Sequence, residues 1–139
     1  KEQIRAAAGE KLGFKQDDVV IRGHAIECRI NAEDPDNNFR PCSGKIDTYI
    51  PPGGPGVRVD SVVYAGYTIP PYYDSLIGKL LVWGKDREEA ISRMQRSLQE
   101  FVVKGIPTTI PFHKQVLRNA FYQRGEIYTN FIQRRILGE

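Results

Sequence analysis

The residues of this chain whose types and spacing could do chemistry are Glu27, Arg29 and Asn31: a carboxylate, a guanidinium and an amide at alternate positions. A guanidinium is permanently charged and presents a planar fork of donors. If Glu27 held it in place, Arg29 could grip an oxyanion. The same pattern also suits a solvated strand surface carrying a Glu27–Arg29 pair, which contributes little when exposed. Periodicity alone leaves both readings open.

The element that must position these side chains is a strand. His24, Ile26, Cys28 and Ile30 alternate with them and form an apolar set that packs inward, as in a half-buried β-strand. Glu33-Asp34-Pro35 ends it, because proline donates nothing to a ladder. Upstream, Ile4, Ala7, Ala8 and Leu12 fall at helical spacing, which predicts a helix over Lys1–Leu12 stopped by Gly13. No capping residue precedes Lys1 and the first residue is not Met, so a cut inside a longer protein is expected.

Downstream, Lys45–Ile50 and Val57–Tyr64 read as strands, separated by Pro51-Pro52-Gly53-Gly54-Pro55-Gly56. That loop lacks a phosphate-binding motif, and its prolines remove donors, so it is expected to be a structural connection. Two prolines and two tyrosines in Ile69–Asp74 lead into a buried strand over Ser75–Trp83, arranged around Lys79. Asp74 and Lys79 are expected in an ion pair or a capped turn. Asp86 with Glu89 forms a capping box for a helix whose apolar face (Ala90, Ile91, Met94, Leu98, Phe101, Val102) runs as far as Gly105. Thr109, Ile110 and Pro111 open a second helix with Phe112, Val116 and Leu117 as its core face. Phe121-Tyr122 and Gly125 read as a loop, and Thr129 or Asn130 as the cap of a last helix carrying Phe131, Ile132 and Ile136. Strands first and helices afterwards predict an α+β domain, an antiparallel β-sheet with helices on one side.

Composition excludes several functions. With 40% hydrophobic and 27% charged residues, the 139-residue chain fits one globular domain with a core of its own. A formal charge of +3, with basic and acidic residues interleaved, gives no sign of nucleic-acid binding. Two cysteines without a CxxC pattern and only two histidines assemble no metal site. Unpatterned cysteines, no signal peptide and no membrane-length apolar run suit a cytoplasmic protein with no membrane role.

The run from Gly23 to Pro35 resembles the start of the C-terminal domain of biotin carboxylase, an ATP-grasp family. Further blocks agree in order and spacing: Pro41–Ile46, Pro52–Arg58, Tyr64–Tyr67, Pro71–Lys79, Gly105–Thr109 and Phe131-Ile132. The resemblance implies residues 1–20 as the end of the preceding ATP-grasp region and residues 21–139 as the C-terminal domain. It implies a ligase that uses ATP, Mg²⁺ and bicarbonate to carboxylate biotin on a separate carrier protein. This is the first half-reaction of acetyl-CoA carboxylase, which serves fatty acid synthesis.

The ATP and Mg²⁺ residues would precede Lys1, which leaves this fragment inactive alone and binding none of these groups. Arg29 matches the family arginine that contacts bicarbonate and biotin, with Glu27, Asn31 and Glu33 as supports around it. Arg58 and Asp74 match positions at a homodimer interface. A biotin carboxyl carrier protein and carboxyltransferase subunits are the other implied partners. The chain departs from the pattern at Pro55, where a bulky aromatic stands in the enterobacterial form, and by an extra residue in the Asp36–Phe39 loop. Two other readings remain: the same domain from a pyruvate or another acyl-CoA carboxylase, and a non-catalytic interaction module using the polar strand face and Tyr72-Tyr73.

Overall fold

Alternation along His24–Asn31 and the apolar run at Leu76–Gly84 produce the two longest strands, and these pair antiparallel with each other. The computed structural model describes residues 1–138, so the last residue of the expected 21–139 span lies outside the described residues. In chain order the elements are α1 (Glu2–Ala7), β1 (His24–Asn31), β2 (Glu33–Asp34), β3 (Arg40–Pro41), β4 (Gly44–Lys45), β5 (Thr48–Ile50) and β6 (Val57–Ser61). There follow β7 (Thr68–Ile69), β8 (Leu76–Gly84), α2 (Arg87–Glu100), β9 (Val102–Lys104), α3 (Ile110–Arg118) and α4 (Ala120–Gln123). Single 3₁₀ turns lie at Gln16–Asp18 and Pro35–Asn37, and a π-helical turn at Gln133–Leu137.

The central sheet has the order β1-β8-β6, antiparallel throughout, and two-stranded ladders β2-β3, β4-β7 and β5-β9 surround it. Its inner face carries Cys28, Ile30, Leu80 and Val82, all buried. The helix α2 lies across β8 and β1 and buries Ala90, Ile91, Met94 and Leu98 against them. The approach is close: a Cβ on Gly84 would sit 2.6 Å from the backbone nitrogen of Ala90. Glycine is therefore needed there to let helix and strand touch. Arg87 fastens this corner, bonding His24 Nε2 (3.2 Å) and the Tyr122 carbonyl (2.5 Å) while stacking over the Tyr122 ring. The fold is α+β with an antiparallel sheet, as the order of elements predicts.

Several boundaries differ from the sequence reading, each for a local reason. The expected strand over Lys45–Ile50 is cut in two because the chain changes partner in the middle. Ile46 N donates to the Tyr67 carbonyl beside β7, whereas Asp47 N donates to the Lys104 carbonyl of β9 (both 2.8 Å). The strand beginning at Val57 stops at Ser61, whose hydroxyl bonds the Ile77 carbonyl (2.5 Å) and accepts from Val63 N (3.2 Å). α2 ends at Glu100, not near Gly105. Val102 and Val103 are β-branched and pair with Ile50 and Tyr49, and Phe101 is buried edge-on to Tyr49. Gly105 (φ +103°) then reverses the chain, and a Cβ there would collide with the Lys45 carbonyl.

The capping box is only half formed. Asp86 accepts from Glu89 N (2.9 Å), but Glu89 reaches Lys85 N rather than Asp86 N. The expected loop at Phe121-Tyr122 is the short α4, capped by Asn119 Oδ1. In α3 Leu117 and Ile110 are buried, while Phe112 and Val116 are half-buried. The first helix ends at Ala7, well short of Leu12, and no residue before Cys28 is buried.

Leu80 is fully buried at the centre of the middle strand. Leu80→Ala is expected to lower unfolding free energy by roughly 2–5 kcal/mol. Val62→Ala, on an exposed side chain, is expected to stay within about 0.5 kcal/mol. Urea denaturation of both variants measures the contrast.

Candidate functional site

The antiparallel register lays out the outer face of the sheet in rows. Arg29 on β1 stands opposite Lys79 on β8, which stands opposite Asp60 on β6. In the adjacent row Glu27, Leu81 and Arg58 are aligned in the same way. Asp60 is occupied: Arg58 donates to both its oxygens, from Nε (2.9 Å) and Nη2 (2.7 Å). This hydrogen bonding holds the Asp60 carboxyl below the usual carboxylate range and raises Arg58 further. Among the described residues Lys79 forms no ion pair, and Arg29 has one, a 3.5 Å contact from Nη2 to Asp74 Oδ2. Two cations thus stand at directly opposed positions on one face of the sheet, with a single ion pair between them and the surrounding carboxylates.

The expected Glu27–Arg29 pair does not form. Arg29 turns instead to Asp74, whose other oxygen accepts from Leu76 N (3.2 Å). The capped turn expected at Asp74 is therefore present, and the ion pair of that carboxylate goes to Arg29 rather than Lys79. A carboxylate already fixed by its own backbone loses less freedom on pairing than two mobile strand side chains would. With its side chain 54% exposed and its partner's 67%, the Arg29–Asp74 contact contributes between 0 and about 1 kcal/mol. It steers the fork without consuming it.

Asn31 and Glu33 meet, while Glu27 stays apart from them. Asn31 Nδ2 donates to Glu33 Oε1 (2.9 Å), and Ser75 Oγ donates to the same oxygen (2.5 Å). Glu33 therefore ties the end of β1 to the residue beside Asp74. Arg58 and Asp74 have different partners, Asp60 and Arg29, and both side chains are mainly exposed. Sequence reasoning missed Ser75, Thr109 and His113. Thr109 Oγ (3.2 Å) and His113 Nε2 (2.9 Å) both bond the Arg29 carbonyl across some 80 residues of chain, a distance no local pattern reports.

Burial shapes the titration of the two groups around Arg29. The Cys28 thiol, on the inner face, is pushed up to about 12 by desolvation and by the nearby Glu27 charge, so it is not a nucleophile at neutral pH. His113 is held below the ordinary histidine range by desolvation, partly offset by its bond to the Arg29 carbonyl. Among the described residues no three His, Cys, Asp or Glu side chains converge on a point that could hold a metal ion. Among the described residues no helix is long and apolar enough to cross a membrane.

The family model "Biotin carboxylase C-terminal domain" matches residues 27–134. The chain belongs to this family. It is 62% identical over 132 residues to the biotin carboxylase of Nostoc sp., covering 95% of this chain and 30% of that protein. It is 61% identical to a pyruvate carboxylase subunit of Methanothermobacter thermautotrophicus, covering 95% of this chain and 27% of that protein. Among solved structures, the biotin carboxylase domain of 2-oxoglutarate carboxylase from Hydrogenobacter thermophilus superposes with a TM-score of 0.92 at 44% identity. That match covers 95% of this chain and 29% of the other; the other protein is a dimer bound to MgADP, ADP and bicarbonate. This biotin carboxylase C-terminal domain therefore spans about 30% of the length of the first curated relative.

The sign of the pH effect at His113 follows from its depressed pKa. Below about pH 6.5, the ordinary value, the unfolded chain takes up a proton that folded His113 resists. Stability is thus lost as pH falls from about 6.5 through the folded pKa, and the loss levels off below it. Removing the imidazole in His113→Gln is expected to shrink the fall in urea midpoint between pH 7 and pH 5. Parallel titrations of both proteins measure the difference.

Proposed function

We propose that the protein carrying this chain is a biotin carboxylase. It makes carboxyphosphate from ATP and bicarbonate and carboxylates N1 of biotin held on a biotin carboxyl carrier protein. The observation that carries this reading is Arg29: an outward fork with one loose ionic contact, on a strand whose backbone is fixed from both edges. Deprotonating biotin N1 moves negative charge onto the ureido oxygen. A permanently charged, planar donor stabilises that oxygen as charge develops, and the unpaired Lys79 alongside favours an anion at the same place. Asp74 aims the fork; Asn31, Glu33 and Ser75 hold the turn that carries Asp74. Glu27 supports the site only through its charge.

ATP and Mg²⁺ are assigned to the ATP-grasp part of the protein, with residues 1–20 as its trailing edge, and the domain alone is inactive. The final acceptor is acetyl-CoA, in cytoplasmic fatty acid synthesis with carboxyltransferase subunits. A 2-oxo acid acceptor is the second reading, supported by the 61% identity to a protein of pyruvate carboxylase, almost equal to that of the biotin carboxylase. The outward Arg58 and Asp74 side chains are proposed to lie at a homodimer interface, in keeping with the dimer of the 2-oxoglutarate carboxylase domain.

In the full-length protein, Arg29→Ala is expected to cut biotin-dependent turnover by roughly a hundredfold or more while leaving the KM for ATP unchanged. An equal loss in ATP binding would make Arg29 structural. The isolated 139-residue chain is expected to fold yet hydrolyse no ATP, and bicarbonate-dependent biotin turnover by it would overturn that assignment.

A further inference from the structure

A side chain can present a fork of donors reproducibly only if its own peptide is held still. β1 is an edge strand of the central sheet, paired on one side to β8. Just beyond Arg29 that pairing slips, with a register shift between Ile30 and Asn31. Arg29 thus sits one residue before the last regular position, Ile30, on an edge whose carbonyls need partners from elsewhere.

The partners come from the first turn of α3. Thr109 Oγ and His113 Nε2 both donate to the Arg29 carbonyl, at 3.2 and 2.9 Å. The same Thr109 hydroxyl oxygen accepts from Asn31 N (3.0 Å), and Thr109 N donates to the Asn31 carbonyl (3.1 Å). Thr109 therefore acts as a one-residue substitute for a neighbouring strand, bonded to the Arg29 carbonyl and to both the N–H and the carbonyl of Asn31, on either side of Ile30. His113 lies four residues on, which in a helix places it directly above Thr109 on the same face. Because a carbonyl only accepts, Nε2 must carry the proton. Burial that disfavours the charged ring fixes this as the Nε2–H tautomer of neutral imidazole. The ring is also packed on Phe112, which meets Phe39 edge-on at 4.8 Å.

We propose that Thr109 and His113 are positioning residues for Arg29: together they clamp its peptide beside the register shift, so that the guanidinium meets the developing oxyanion in one place. The proposal rests on the carboxylase reading above for what Arg29 meets, and on the geometry alone for the clamp. The sensitivity is large, since misplacing a catalytic contact by about 1 Å can cost on the order of a hundredfold in rate.

The test uses the full-length protein, with His113→Phe (bulk kept, donor lost), His113→Gln (donor restored) and Thr109→Val (hydroxyl lost), each also combined with Arg29→Ala. His113→Phe and Thr109→Val are expected to lower kcat for biotin carboxylation about tenfold with the KM for ATP unchanged, and His113→Gln to recover most of it. In the Arg29→Ala background His113→Phe is expected to change kcat less than about twofold, because coupled residues are not additive. The same tenfold loss in both backgrounds would overturn the clamp.

Hydrogen exchange gives a readout independent of turnover. His113→Phe and Thr109→Val are expected to speed exchange in the peptide spanning residues 27–31 and not in Val57–Ser61. Unchanged exchange at 27–31 would likewise overturn the clamp. A wild-type protein without biotin-dependent turnover, but with the local exchange change, would instead sink the carboxylase reading and with it the oxyanion that Arg29 is positioned to meet.

Discussion

The register of β1 on β8 is the constraint on which the rest of the structure depends. Cys28 opposite Leu80 and Ile26 opposite Val82 face the core, which forces Arg29 opposite Lys79 onto the outer face. A slip of one residue would reverse every side chain of the strand. It would drive a guanidinium inward, where an unpaired charge costs several kcal/mol, against the 0 to about 1 kcal/mol available from its exposed ion pair with Asp74. The apolar side of the strand therefore decides where Arg29 points, and the polar contacts only refine its direction.

β8 transmits that constraint in three directions. It pairs with β1 on one edge and β6 on the other, and the helix α2 seals its inner face down to contact at Gly84. With three sides fixed, the remaining outer face is held as a rigid platform on which Arg29, Lys79, Asp60 and Arg58 keep fixed spacings. The surrounding two-stranded ladders are short, and side-chain bonds from Ser75 to Glu33 and from Thr109 to the Arg29 carbonyl hold the Asp74 turn and the α3 N-terminus against the end of β1.

What can be read from the sequence is what is encoded locally. Period-two alternation locates β1 and assigns its two faces correctly, and a helical stripe with an Asp86 cap locates α2. Patterns fail where tertiary partners override local preference. Val102 continues the apolar stripe of α2, yet β5 needs a partner and draws it, with Val103, into β9. The Lys45–Ile50 run alternates like one strand but serves two different neighbours. At the site, Arg29 is identifiable by type and by its resemblance to a known family. Its ionic partner Asp74 lies 45 residues away, and nothing local links the two. Thr109 and His113 carry no site signal at all, since a threonine before a helix and a lone histidine have many ordinary uses.

The arrangement of charge on the outer face completes the argument. Directly opposed like charges on paired strands are destabilising, and Arg29 faces Lys79. The nearest relief for Lys79, Asp60, is drawn off by a bidentate Arg58, and the relief for Arg29, Asp74, stands at the limit of a hydrogen bond. A surface selected for stability alone would have exchanged one of these cations for a carboxylate. Departures from local rules of this kind concentrate where a ligand supplies the missing partner. An anion between Arg29 and Lys79 would relieve the repulsion, and it would sit where the proposed reaction develops negative charge.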